Sequence, residues 1–488
     1  MNHLAEIGHA LKRLSMSSRE DRQVFKGAPI SPGRFIPRCG FAPVILATAI
    51  LSFATSTWAA DAHFVGETRC GKQPCHGNAI PSSPPSDGPW TPWKWAWTQW
   101  SDSNIDRHSR AFRTLATKDS KQIAAYMGIE ATTSAKCLRC HAPDAPSSPS
   151  GQVLADGRPS SHERSAGVSC EHCHGGAEHW LTVHSTKEWK AQRAQYTTRG
   201  FYDNDNLRLR AEKCAECHMD IDHEIVAGGH PPLQFEMVAY AQIMQHWDDH
   251  DEHPDVFSID PTLWAVGQIV GLRSAAQTIA SRAGAQDYQS IGKFPHFEGK
   301  ECYQCHHKLI DDAVRLSRGH YAMASAIFAE LLPDAKGELE SRWNSVVQGA
   351  RSSAGQARES ATGLAQWLDS YVNTMAGKRL DRAATMKLLR RIVSSGDALK
   401  DIKRFSYTQP KESNVLSLTN VDTPWWYTTG APEQTCLAVA ALCQPSFDAK
   451  CGTIDKDLDA LYGAVDRLRY DPAQFAAALA ALKRKLFP

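Results

Sequence analysis

Four short segments repeat one arrangement of side chains: Cys137, Cys140 and His141; Cys170, Cys173 and His174; Cys214, Cys217 and His218; and Cys302, Cys305 and His306. Zinc ribbons, disulfides and covalent haem attachment all use such cysteine pairs. Zinc ribbons need no His directly after each pair. With 21 His in 488 residues, chance would place one after all four pairs on the order of once in a few hundred thousand. A disulfide across two intervening residues is strained and belongs mostly to redox enzymes. Haem attachment accounts for all three residues. Each sulfur bonds one vinyl group of the porphyrin, and residues three apart share one face of a helical turn. The next residue is carried toward the iron and supplies an imidazole ligand.

Residues 70–76 read CGKQPCH, a lengthened version of these four. Cys75 keeps its neighbour His76, but four residues separate it from Cys70. The Cys70 sulfur reaches a second vinyl group if Gly71 and Pro74 shape a small loop, since Gly permits unusual backbone angles and Pro fixes a turn. A disulfide or a lone zinc pair is the other reading. Position favours haem, because four further motifs follow. Covalently bound haem c, about five groups, is therefore expected on Cys70, Cys75, Cys137, Cys140, Cys170, Cys173, Cys214, Cys217, Cys302 and Cys305. The proximal iron ligands are then His76, His141, His174, His218 and His306.

Low-spin haem also needs a sixth ligand. Apart from those five, and His3 and His9 near the start, every His lies between His63 and His320. His108 sits in a helical pattern with Phe112, Leu115, Ile123 and Tyr126. His179 and His184 follow the third motif in CHGGAEHWLTVH, and His223 and His230 follow the fourth in CHMDIDHEIVAGGHPP. His320 stands in SRGHYAM. These six are the distal candidates. His246, His250 and His253 read as a solvated charged stretch, with a metal site as the alternative. His162, His172 and His296 read as surface. The Trp-rich stretch WTPWKWAWTQW at 90–100 reads as aromatic packing at haem edges rather than as a carbohydrate or quinone surface.

The elements that must position these residues are helical. Leu364, Trp367, Leu368, Tyr371, Val372 and Met375 recur at helical spacing, and Gly377 is placed to stop that helix. Met386, Leu389, Ile392 and Val393 predict another, and Leu458, Leu461, Val465 and Leu468 a last one. Residues 410–432 read as a loop. Cys436, Cys443 and Cys451 have no His after them and read as one disulfide and one thiol. No His occurs from Tyr321 to Pro488. The expected organisation is a leader at 1–62, a multihaem cytochrome c domain at 63–320, and a helical region without haem ligands at 321–488. That last region reads as a packing layer over the haem part, with a partner-binding domain as the alternative. The expected fold class is mainly α, with little regular sheet and the haems forming the core.

Composition sets outer limits. A hydrophobic share of 42% and a charged share of 22% are ordinary for a soluble globular protein. A net charge of +1 gives no general attraction to nucleic acid or anionic lipid. Lys12, Arg13, Arg19, Arg22, Lys26, Arg34 and Arg38 precede an uncharged run from Cys39 to Ala60, with small residues at Ala59, Ala60 and Ala62. That is the layout of a cleavable export signal. An uncleaved membrane anchor is the alternative, since about 20 apolar residues span a bilayer. A periplasmic location follows, and it suits haem attached outside the cytoplasm.

The segments between the motifs add a resemblance. In order they are DRHSRAF, CLRCH, AGVSCEHCHGGAEHWLTVH, CAECH, DHEIVAGGHPPLQFE and ECYQCHHKL. Over roughly 63–320 the chain resembles the periplasmic multihaem c-type cytochromes related to the tetrahaem electron carrier of hydroxylamine-oxidising bacteria. The resemblance implies closely stacked haems, one iron that is five-coordinate, and His108 and His184 as distal ligands. The lengthened first motif, the fifth motif and the C-terminal extension depart from that pattern. The function expected is electron transfer between redox partner proteins, among them a membrane quinol-oxidising or outer-membrane partner, and no nucleic acid. The alternative is a reductase or oxidase of a small nitrogen or sulfur compound at one open haem. No residue presents itself as a catalytic proton donor.

Overall fold

The computed structural model describes residues 62–80, 92–143, 163–219, 235–243, 260–284, 319–395, 431–465 and 472–488, with 221, 225, 228–230 and 233, and without 74, 104, 445 and 446. The leader through residue 61, His162, His223, His246, His250, His253, His296, Cys302, Cys305 and His306 lie outside the described residues, as does most of the 410–432 loop. Among the described residues every regular element is a helix, so the chain is mainly α.

The helices of the first half are short: α1 Ala96–Ser101, α2 Ala111–Thr114, α3 Lys118–Met127, α4 Ala135–His141, α5 Cys170–His174, α6 Trp189–Tyr196, α7 Leu207–His218 and α8 Met237–Ile243. Their ends are set locally. Thr117 caps α3 by accepting from the Ser120 N–H, and Gly128 closes it at φ 67°. Asn206 caps α7 by accepting from the N–H groups of Arg208 and Leu209. The apolar clusters in this half are small. One joins Leu115, Ala124, Ala131, Leu138 and Ala142, and another joins Val65, Ala177 and Trp180.

The second half is built from longer helices: α9 Asp260–Gly284, α10 Gly319–Leu331, α11 Pro333–Ser352, α12 Ala354–Ala376, α13 Arg382–Ser394, α14 Ala431–Leu442, α15 Asp455–Ala464 and α16 Pro472–Leu486. The predicted stop at Gly377 is the end of α12. The helix expected to be last, α15, is followed by α16, whose Phe475, Leu479, Leu482 and Leu486 are buried at helical spacing. The disulfide is Cys443–Cys451, and Cys436 is the buried thiol. Every residue of α14 is buried, so this helix forms the axis of the bundle.

One apolar cluster joins Trp264, Phe328, Trp343 and Phe475 to Leu207, Ala211 and Ala215 of α7. The region beyond 320 therefore packs directly on the helix that carries the fourth motif. Ion pairs fix the register of that contact. Arg273 of α9 is buried and meets Glu212 of α7 at 2.7 Å and Asp369 of α12 at 2.6 Å. Arg208 joins the same two carboxylates and donates to Asn373. No described helix is long and apolar enough to cross a membrane.

Candidate functional site

Each of the three described regular motifs ends a helix, with its histidine as the last helical residue: His141 in α4, His174 in α5 and His218 in α7. The two cysteines then lie one turn apart on one face, as thioether attachment to a single macrocycle edge requires. The motifs also approach one another. Cys140 Sγ lies 3.9 Å from the Cys217 carbonyl, and Cys217 Sγ lies 3.8 Å from that of Arg139. Cys70 and Cys170 are in side-chain contact, and Cys173 and Cys214 are neighbours.

Three motif histidines each face a histidine from outside the motifs. The ring centroids of His76 and His184 are 6.1 Å apart and the planes differ by 12°. His218 and His108 are 6.1 Å apart at 84°, and His141 and His230 are 6.3 Å apart at 79°. A nitrogen bound to a metal sits about 2 Å from it and about 1.1 Å from its own ring centre, so two imidazoles opposed across one iron have centroids about 6.2 Å apart. All three spacings fit the donor set of a haem with two axial histidines.

The ring nitrogens are prepared for that role. His141 Nδ1 donates to the Ala111 carbonyl at 2.9 Å, and His184 Nδ1 to that of Leu181 at 2.5 Å. His108 Nδ1 donates to Asp106 Oδ1 at 2.9 Å, and the same oxygen accepts from the His108 backbone N–H. A proton held on Nδ1 leaves the lone pair on Nε2, the nitrogen that ligates. Burial lowers the pKa of His141 and of His184, and it takes His218 to about 4, so these rings are neutral. Burial opposes charge on His108 as well, but the Asp106 carboxylate outweighs it and raises that pKa. Aromatic rings screen the pairs from water. Phe235 stacks on His218 at 4.7 Å, and Trp180 stands edge-on to His184 at 5.5 Å.

The lengthened first motif is folded by its neighbours. The Trp97 indole lies over Gly71, where a Cβ would come within 2.4 Å of the ring. The Trp97 backbone N–H donates to the His76 carbonyl at 3.1 Å, and Asn78 donates to the carbonyls of Cys75 and Lys94. Trp100 donates to the Val168 carbonyl beside the third motif. The Trp stretch thus packs the first motif against the rest.

Other candidates sit elsewhere. His179 is half-exposed, 3.8 Å from Glu178. His172 was expected at the surface but is buried between the cysteines of the third motif. Its Nδ1 accepts from the Ser169 N–H at 2.8 Å and its Nε2 donates to the Pro143 carbonyl at 2.8 Å. Both nitrogens are committed, so this ring is structural. His320 lies in the second half, on α10. Sequence reasoning passed over Asp106 and Glu171. The acid two residues before His108 was the available signal for the first.

Glu171, between Cys170 and Cys173, is buried. Its two oxygens accept from the N–H groups of Val65, Gly66 and Ala177, each at 2.8 Å. It fastens the segment before the first motif onto the third. Just beyond, Gly175 adopts φ +80°, and a Cβ there would lie 1.8 Å from the Gly200 carbonyl oxygen. Only Gly fits both the angle and the approach. Gly175→Ala is expected to lose at least about 2 kcal/mol of stability. Thermal unfolding of the holoprotein measures this, and an unchanged midpoint would show that the backbone relaxes there.

Residues 94–175 match the family model described as cytochrome c554 and c-prime. That stretch holds His108 and the second and third motifs. No curated protein and no solved structure matches the chain. The family match, placed on this donor set, supports a c-type cytochrome with covalently bound haem c and electron transport as its work.

Proposed function

We propose that the chain is a periplasmic multihaem c-type cytochrome, carrying about five haems on its five motifs, that transfers electrons between redox partner proteins. One observation carries the reading: three motif histidines each face a second histidine at 6.1–6.3 Å between ring centres. Haem supplies a one-electron ferric/ferrous couple when bound. The chain's residues fix its edges by paired cysteines, present imidazole nitrogens held by hydrogen bonds at Nδ1, and exclude water with Phe235, Trp180 and Trp97. Export is supported by the leader-like residues 1–62 and by the Cys443–Cys451 disulfide.

The cysteine contacts arrange the motifs in space as first, third, fourth, second, which differs from their sequence order. The third motif is thus the bridge between the first and the others. Intact mass and absorption of the purified holoprotein are expected to give four or more covalent haems; fewer would overturn the reading. Cys170→Ala with Cys173→Ala is expected to remove one haem and to slow electron exchange between the first haem and the rest. Stopped-flow reduction showing undisturbed exchange in that variant would remove the proposed order.

A further inference from the structure

His218 is held differently from its fellow ligand candidates. His108, His141 and His184 are each fixed by a hydrogen bond at Nδ1. The His218 ring is held by aromatic rings: Phe235 stacks on its face at 4.7 Å with the planes 20° apart, and Tyr240 meets it edge-on at 5.8 Å. Phe235 and Tyr240 pack on each other at 4.8 Å. The plane of His218, which stands at 84° to that of His108, therefore depends on where Phe235 is kept.

Phe235 is buried, and the region beyond 320 sets its place. The Phe235 carbonyl can only accept, so the Gln434 group 2.8 Å from it is the amide nitrogen. Gln434 Oε1 in turn accepts from Gln268 Nε2 at 3.0 Å, and Gln268 Oε1 accepts from His320 Nδ1 at 3.0 Å. A chain of hydrogen bonds thus runs from α10 through α9 and α14 to the backbone of Phe235. Gln268 and Gln434 are both buried, so water does not stand in for a lost amide there. The residues just after Phe235 are fixed as well. Glu236 accepts from the N–H groups of Val238 and Ala239 at the start of α8. Gly267 lets Met237 sit directly on α9, where an added Cβ would stand 2.8 Å from the Met237 Cβ.

The angle between two axial imidazole planes governs how the iron d orbitals split. Near-perpendicular planes give a low-spin ferric spectrum with one large principal g value, and near-parallel planes a rhombic one. Burial of the ligand side also tunes the potential. We propose that Gln434 is a positioning residue through which the C-terminal bundle, by way of Phe235, fixes the ring plane of His218 and the potential of the haem at the fourth motif. This rests on the multihaem reading above.

The test uses the full holoprotein, with haem number from intact mass, ferric spectra from electron paramagnetic resonance and potentials from spectroelectrochemical titration. Gln434→Met keeps the side-chain length and removes the hydrogen bond. It is expected to retain every haem, to shift one large-g signal and to lower the potential of one haem, because a loosened Phe235 admits water that favours the ferric charge. Phe235→Leu is expected to give the same two changes, larger, and is the second variant if Gln434→Met accumulates poorly. Since Gln434 acts through Phe235, the double variant is expected to match Phe235→Leu alone. In a Cys214→Ala, Cys217→Ala background, with the fourth haem gone, Gln434→Met is expected to leave the remaining signals unchanged.

Parent-like spectra and potentials in Gln434→Met, with all haems present, would overturn the assignment. So would additive shifts in the double variant, or a shift that persists in the cysteine background and so belongs to another haem. Absence of covalent haem from the parent would instead overturn the multihaem reading itself.

Discussion

Replacing Glu171 by leucine is expected to destabilise the holoprotein by about 3–9 kcal/mol, because three buried N–H groups lose their acceptor at about 1–3 kcal/mol each. The N–H groups of Val65, Gly66 and Ala177 all point at this one carboxylate. Leucine fills the space and satisfies none of them. A glutamine side chain in its place would keep one oxygen for Val65 and Ala177 and would turn an amide N–H toward that of Gly66. Glu171→Gln is therefore expected to lose about a third as much, roughly 1–3 kcal/mol. The effect reaches function through the chain that follows. Val65 and Gly66 lead directly into Cys70, and Cys70 touches Cys170. Loosening this tie separates the first motif from the third, so slower electron exchange should accompany the lost stability. Urea unfolding of the two variants decides the matter. A leucine variant within about 1 kcal/mol of the parent would mean that water or repacked backbone replaces the carboxylate.

The cysteine–histidine motifs were legible because their spacing repeats, and three of the six expected distal candidates, His108 in its helical pattern and His184 and His230 after motifs, are the ones whose rings face a motif histidine. Which histidine faces which motif was not legible. His108 lies far before His218 in the sequence, and only the tertiary fold brings the two rings to 6.1 Å. His172 and Glu171 were hidden for a related reason. Polar residues between two cysteines look solvent-facing, and their burial depends on a distant stretch of chain, residues 62–66, and on Pro143. The apolar spacing of Phe475, Leu479, Leu482 and Leu486 was present in the sequence, but no helix was expected there. The long helices of the second half were easier, because a bundle of that size buries whole helical stripes and writes them into the sequence.

Stability is expected to fall as pH rises from about 6.5 to 8, by on the order of 2 kcal/mol from Glu236 alone. Glu236 is buried and accepts from the N–H groups of Val238 and Ala239 at 2.9 and 2.7 Å. Burial, with Asp260 nearby, raises its pKa to about 8 despite those two donors. The folded protein thus binds a proton that the unfolded chain releases near the ordinary carboxylate value. Its contribution is complete below that value and is lost as pH rises through about 8. Glu171, raised to about 7 by burial, acts in the same direction over the lower part of the range. Urea midpoints of the holoprotein are therefore expected to be lower at pH 8 than at pH 6.5, with the difference reduced in Glu236→Gln. A midpoint that rises over this interval, or an equal drop in the glutamine variant, would show that Glu236 is already ionised in the folded protein.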